Sequence, residues 1–349
     1  MNVQPNRNSK STNQKSPYYY LSKFRSELMG FAILWVVWFH SSVYLNFFPV
    51  AFLNNCFSFI KDIGYGGVDI FLLVSGMGIY NSLSENNISQ YIKNRIKRIV
   101  PVWWLFLIIS VFLGRFVFHM FFSTLEIIGY ATFTGYWLDM QNQGNWYVYT
   151  IILFYLISPV LYSLIENSEH KLRTCLILVL IALIVSISFV HNFKLISFSR
   201  VPIYLIGMYI SSSLRDSIIR KKHWGGLLLS FVLGIIVLWL CYKFLKAYLW
   251  PYGLWWYPFI VIAPTLSLLI AKCMDHLQKR IKPLTFSLSV LGKSSLEILL
   301  VSDLLIANFN KLNIVVFNNR ITSVFVVLIS LLIGILFHYL VDIIIKQFE

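Results

Sequence analysis

The stretch SELMGFAILWVVWFHSSVYLN (residues 26–46) decides the fold of this chain. Between Glu27 and His40 it carries no charge and is built mostly from Leu, Ile, Val, Trp and Phe. A helix of about 20 such residues, rising 1.5 Å per residue, matches the roughly 30 Å hydrocarbon core of a bilayer. Similar runs recur at 64–83, 98–119, 145–166, 172–191, 199–214, 224–243, 252–271, 285–307 and 321–345. Of the 349 residues, 58% are hydrophobic and 12% charged, against about 25% charged in a soluble domain. One soluble core could not cover that much apolar surface. The sequence therefore predicts an all-α, polytopic transmembrane bundle of about ten spans. Residues 1–24 read as a polar tail and 25–349 as the membrane domain. The first 25 residues show no early apolar run with a small-residue cleavage site. The segment STLEIIGYATFTGYWL (123–138) reads as an interfacial or re-entrant helix, with an eleventh span as the alternative.

The net charge of +15 would suit nucleic acid, but the charges sit in short clusters between apolar runs, as in the loops of membrane proteins. With ten spans and an inside N-terminus, 20 Lys and Arg fall on inner segments and 8 on outer ones, Lys61, Lys194 and Arg200 among the latter. That excess predicts cytoplasmic N- and C-termini, and an eleventh span would spoil it. The partner implied is the lipid bilayer of a plasma membrane, not a nucleic acid. Trp103-Trp104, Trp146-Tyr147 and Trp255-Trp256-Tyr257 fit interfacial belts. Cys56, Cys175, Cys241 and Cys273 have no metal-ligand or redox spacing, and no metal site is predicted. The Asn-, Lys- and Ile-rich composition suggests a low-GC bacterium.

Ionisable residues at membrane depth are costly and mark candidate sites. His40 lies about 20 Å along the first span at 1.5 Å per residue. It reads either as a packing histidine or as a general base acting on an acceptor hydroxyl. Ser75-Gly76 lies about 17 Å into the second span from its opposite end, so the two positions are expected at similar depth. Arg95 and Arg98 in YIKNRIKRIVPVWW share a helix face. Their planar forks suit phosphate, or they only anchor topology against anionic lipid. The remaining buried ionisables are Asp69, Lys293 with Glu297, Asp303, and His338 with Asp342. Each is read as a possible cavity liner, with Glu297 pairing Lys293 and His338 pairing Asp342 across one helical turn.

In combination and order these motifs resemble the acyltransferase-3 family, integral membrane acyltransferases that O-acylate surface polysaccharides. The resemblance runs from about Arg25 to Ser302. It is carried by Glu27-Leu28-Met29-Gly30 through His40, by GYGGVDIFLLVSGMGIY (64–80) and by RIKRIVPVWW (95–104). NWYVYTIILFYLISP (145–159), SRVPIYLIGM (199–208) and LGKSSLEILL (291–300) continue it. The family arginine that precedes the histidine by eleven residues is Met29 here. Arg25, one turn earlier on a similar face, is the expected substitute. Two further family positions also depart, at Ile151-Ile152 and at Ser302.

The resemblance implies an O-acyltransferase with acetyl-CoA as donor co-substrate and no resident cofactor. The acceptor would be a capsule or exopolysaccharide glycan, extracytoplasmic or lipid-linked. It implies that Arg95, Arg98 and Arg25 meet the CoA phosphates at the inner face, and that His40 either deprotonates the sugar hydroxyl or carries the acyl group. Glu27, Asp69, Ser75, Gly76, Trp146, Tyr147 and Glu297 are the expected cavity liners. The alternative is an exporter of lipid-linked glycan without acyl transfer, which would favour matched pairs of broken helices. A polysaccharide polymerase is a third reading. It would be expected to carry arginine in a large outer loop, and loop 120–144 has none.

Overall fold

Each apolar run folds as helix because, away from water, a spanning segment must satisfy its backbone amides internally. The computed structural model describes residues 16–41, 43, 49–140, 145–215, 221–311 and 320–347. In chain order the helices are α1 (Pro17–Lys23), α2 (Arg25–His40), α3 (Ala51–Asp62), α4 (Gly67–Glu85), α5 (Ile88–Phe116), α6 (Thr124–Ala131), α7 (Trp146–Glu166) and α8 (Lys171–Ile187). There follow α9 (Leu195–Phe198), α10 (Val201–Ser213), α11 (Lys221–Phe244), α12 (Phe259–Leu277), α13 (Lys282–Lys293), α14 (Ser295–Lys311) and α15 (Arg320–Gln347). No strand occurs among the described residues. A 3₁₀ turn, Gly64–Gly66, leads straight into α4.

Each of the ten predicted runs contains helix. Among the described residues, seven segments are long and apolar enough to cross a membrane, carried by α4, α5, α7, α10, α11, α12 and α15. The pair α13–α14 makes an eighth if it counts as one bent span. The other two runs are α2, with 16 residues, and α8, with 17. Two expected spans are altered. The run 26–46 stops being helical at His40, where the Ser41 hydroxyl turns back to donate to the Trp38 carbonyl at 2.8 Å. The run 285–307 is broken by 73° between α13 and α14, because α13 packs on α2 while α14 packs on α15. The segment 123–138 contributes only the eight-residue α6, started by a capping box between Ser123 and Glu126.

Helix α2 is the axis of the bundle. A Cβ on Gly30 would lie 1.9 Å from the Leu288 carbonyl, and one on Gly292 1.8 Å from the Ser26 carbonyl. Two backbones therefore touch where α2 crosses α13, as small residues allow between membrane helices. Helices α4 and α10 meet the same way through Gly76 and Gly207. The α4 and α10 segments are 83% and 72% buried inside the protein, whereas α5, α11 and α15 are 22%, 17% and 28% buried. The latter present broad apolar faces outward, as α8 does through Leu176, Leu180, Ile184 and Ile187, which is what lipid requires.

Residues 1–15 of the expected tail lie outside the described residues, and its last part, residues 16–24, packs into the bundle. Ser16 caps α1 by accepting the Tyr19 amide at 3.1 Å, Leu21 and Phe24 are fully buried, and Lys23 pairs with Asp275 of α12 at 2.7 Å. The phenylalanine and leucine give these residues an apolar face that a purely solvated tail would lack.

Candidate active site

Beside α2 lie an apolar cavity of about 740 Å³, lined by Phe31, Leu34, Trp35 and Trp38, and two smaller ones with polar linings, one toward each end of the helix. The first of these two, about 140 Å³, is lined by His40 and Asp303 together with Tyr65, Asn145, Trp146 and Arg200. His40 ends α2, directly after Phe39, whose ring packs edge-on against Tyr65 at 5.7 Å. Asp303 reaches the same space from α14, set there by the break after α13, and its carboxyl interacts electrostatically with the imidazole. Lys61 of α3, which counted as an outer loop charge, is buried behind them. Its ammonium donates to the Phe39 carbonyl at 3.4 Å and acts electrostatically on His40. A histidine in the field of a carboxylate is equipped to accept and return a proton, the carboxylate favouring the imidazolium form.

The second cavity is smaller, about 30 Å³, and is lined by Met29, Ser75, Arg98, Tyr155 and Ser295. Arg98 is exposed on α5. One turn before it, Arg95 lies over the rings of Tyr91 and Tyr155 at 5.4 and 5.5 Å, with its Nε buried and unpartnered. Arg25 comes from the start of α2. Its guanidinium lies over Gly78, where an added Cβ would come within 2.8 Å of it. There it falls within the fields of Arg98 and Arg95 and beside Tyr147 and Tyr155. Three guanidiniums thus lie within one another's fields at and beside the cavity that Met29 lines, and together they suit a polyphosphate.

Tyr147 and Leu299 line both cavities. The Tyr147 ring packs on Phe71 at 6.1 Å, and its hydroxyl interacts with Ser75 and with Arg98. One side chain from α7 and one from α14 therefore form the partition between a histidine chamber and an arginine chamber. Along α2, Met29 and His40 are separated by about 16 Å at 1.5 Å per residue.

Several expected positions fall elsewhere. Ser75 does not meet His40 at one depth. The turn Gly64–Gly66 packs on Trp35 and Phe39, so α4 starts level with the end of α2 and runs back, which carries Ser75 to the level of Met29. Gly76 is a packing residue against the Tyr204 carbonyl of α10. Glu27, part-buried in the first turn of α2, lines neither cavity. Glu297 pairs with His338 of α15 at 2.9 Å rather than with Lys293, which is exposed. Its second carboxylate oxygen is buried without a partner among the described residues. Asp69 is itself turned away from the cavity and holds Arg200 in a fully buried ion pair.

Arg200 is the residue that sequence reasoning missed, having counted it as an outer charge. Its signal was present. Asp69 and Arg200 open two apolar runs that start on the same side in the ten-span reading, so opposite charges stood at one depth. Trp255 and Trp256, expected in an interfacial belt, line the His40 cavity with Trp250. Asp303 had been no more than one of several buried acids.

The helical bundle and its paired cavities define an integral membrane protein with an interior polar site at each end of one helix. The acyltransferase-3 family, described as an acyltransferase domain, matches residues 28–339. The chain belongs to that family of membrane acyltransferases. No curated protein and no solved structure matches it.

Proposed function

We propose that the protein moves an acetyl group from cytoplasmic acetyl-CoA to a hydroxyl of a cell-surface polysaccharide across the plasma membrane. In this reading the bundle has ten spans, with α2, α8 and the bent α13–α14 pair completing the seven long ones, and both termini are cytoplasmic. The observation that supports it is the shared wall: an arginine cluster and a histidine–carboxylate pair lie in neighbouring cavities divided only by Tyr147 and Leu299. Arg98, Arg95 and Arg25 bind the CoA phosphates, and the thioester arm passes the partition toward His40.

The acceptor hydroxyl oxygen attacks the thioester carbonyl, forming a C–O bond as the C–S bond breaks. His40 takes the hydroxyl proton and returns it to the departing CoA thiolate, with Asp303 orienting the ring and balancing the imidazolium. General base removal costs about 10²–10⁴-fold in rate. The test is to express His40→Ala and Arg98→Ala at normal membrane levels and read O-acetyl signals of the surface polysaccharide by NMR. Loss of the signal in His40→Ala and a weakened signal in Arg98→Ala are expected. Normal acetylation in both overturns the reading, and glycan export that survives acetyl-CoA depletion would replace it with a transporter.

A further inference from the structure

The His40 cavity holds a second polar feature that proton transfer does not use. Arg200 stands just before α10, is completely buried, and lines the cavity. Asp69 accepts a hydrogen bond from Nη1 alone. Nε and Nη2 are buried and have no hydrogen-bond partner among the described residues. These two nitrogens form one edge of the guanidinium, the edge that grips two oxygens at once. The rings of Tyr65, Trp146 and Trp256 surround the group at 5.9, 5.8 and 5.6 Å, excluding water from it. A buried donor left unsatisfied is destabilising, so a ligand that supplies two acceptor oxygens relieves a penalty built into this arginine.

The rest of the lining narrows the ligand. Trp250, Trp255 and Trp256 stand on the same wall, with Asn145 as an amide partner. Indole faces suit the C–H faces of a sugar ring, and the volume of about 140 Å³ is on the scale of one sugar unit. A hydroxyl offers the guanidinium edge one oxygen, whereas a carboxylate or phosphate offers two in matching geometry. We infer that the His40 cavity binds an anionic sugar, its carboxylate or phosphate seated on the Nε/Nη2 edge of Arg200 and its ring on the tryptophan wall. This rests on the reading of that cavity as the acceptor side.

The experiment titrates full-length purified protein with methyl glucuronoside, glucose 1-phosphate or methyl glucoside, reading intrinsic tryptophan fluorescence. At least one anionic sugar is expected to bind about tenfold tighter than methyl glucoside, the scale of one charge-assisted contact. Which of the two does so identifies the anion as uronate or sugar phosphate. Arg200→Lys keeps the charge without the fork and should erase the preference. Asp69→Asn/Arg200→Gln, which leaves no unpaired buried charge, should erase it as well, so failure of one variant to fold still leaves the other. Equal binding of all three sugars, or a preference that survives both variants, overturns the inference. So does absence of sugar binding in protein that still binds acetyl-CoA. His40→Ala should keep the sugar preference, so loss of the acyl-transfer reading and loss of this one are separately visible.

Discussion

The cavity at the His40 end of α2 and the cavity at the Arg98 end share two side chains and little else. The first is walled by tryptophans, an amide and the arginine of a buried ion pair, with its histidine in the field of an acid. The second has three guanidiniums at or beside it and no carboxylate in its lining. Both answer the same constraint, since a charge taken out of water must find a partner or stay near the surface. The His40 side sets opposite charges near one another, Asp69 bonded to Arg200 and Asp303 in the field of His40. Among the described residues the cations of the Arg98 side make no ion pair, and Arg98 itself is exposed. An internally neutral site suits chemistry on a substrate that enters, and an uncompensated one suits capture of a multiply charged ligand.

Blocking passage between the two should have the largest consequence short of removing the base. Leu299→Trp fills the wall common to both cavities. Acetyl transfer is expected to fall about 10²-fold, the scale of displaced reacting groups, while acetyl-CoA still binds, measured by equilibrium dialysis. Transfer at the parental rate would mean the cavities do not communicate there.

On the histidine side, Asp303→Asn keeps the shape and removes the charge. It is expected to lower kcat by about 10- to 100-fold, corresponding to the roughly 1.5–3 kcal/mol of a hydrogen bond to a charged group. KM for acetyl-CoA should stay within about twofold, because this residue has no part in donor capture. Asp303→Glu should recover part of the loss. A rise in KM with kcat unchanged would move Asp303 out of the site.

On the arginine side the split should reverse. Arg98→Ala is expected to raise KM for acetyl-CoA about tenfold, with little effect on kcat at saturation, since the contact is charge-assisted but exposed. Dephospho-CoA thioesters should show a smaller difference between parent and variant. A fall in kcat at unchanged KM would show that Arg98 acts on the reacting atoms.

How much of this was legible in sequence follows from the range of the interactions. The helices were, because an apolar run long enough to span is a local property. The break after Lys293 was not, since it arises where α13 lies against α2 through Gly30 and Gly292 and α14 turns to α15, and both are contacts between distant segments. His40 was legible as an isolated ionisable residue in an apolar run, and Arg98 as one of a pair with Arg95 on one helix face. Their neighbours were not: depth counted from each helix end put Ser75 beside His40, because the 3₁₀ turn that fixes the start of α4 leaves no periodic mark. Arg200 was read as a loop charge because position along the chain does not reveal burial; only Asp69 at matching depth hinted at it. Glu297 was assigned the partner one helical turn away, Lys293, when α15 supplied His338 across a helix interface.

The smallest effect concerns Arg25 and Met29, where the arginine side departs from its family. Arg25 reaches the cluster from one turn before the usual position, lying over Gly78, while Met29 lines the cavity with an apolar side chain. If Arg25 supplies the missing cation, Arg25→Ala should raise KM for acetyl-CoA about threefold to fivefold, less than Arg98→Ala because two guanidiniums remain. Met29→Arg alone places a fourth cation among three, and mutual repulsion should cancel most of any gain. In the Arg25→Ala background the same substitution restores the count of three and should return KM to within about twofold of the parent. Gly78→Val, whose side chain would meet the Arg25 guanidinium, should reproduce the Arg25→Ala defect and be repaired by Met29→Arg in the same way. Rescue in both backgrounds would assign the departure at Met29 to a relocated arginine. If Met29→Arg rescues neither, Arg25 serves packing, and the arginine cavity works with two cations.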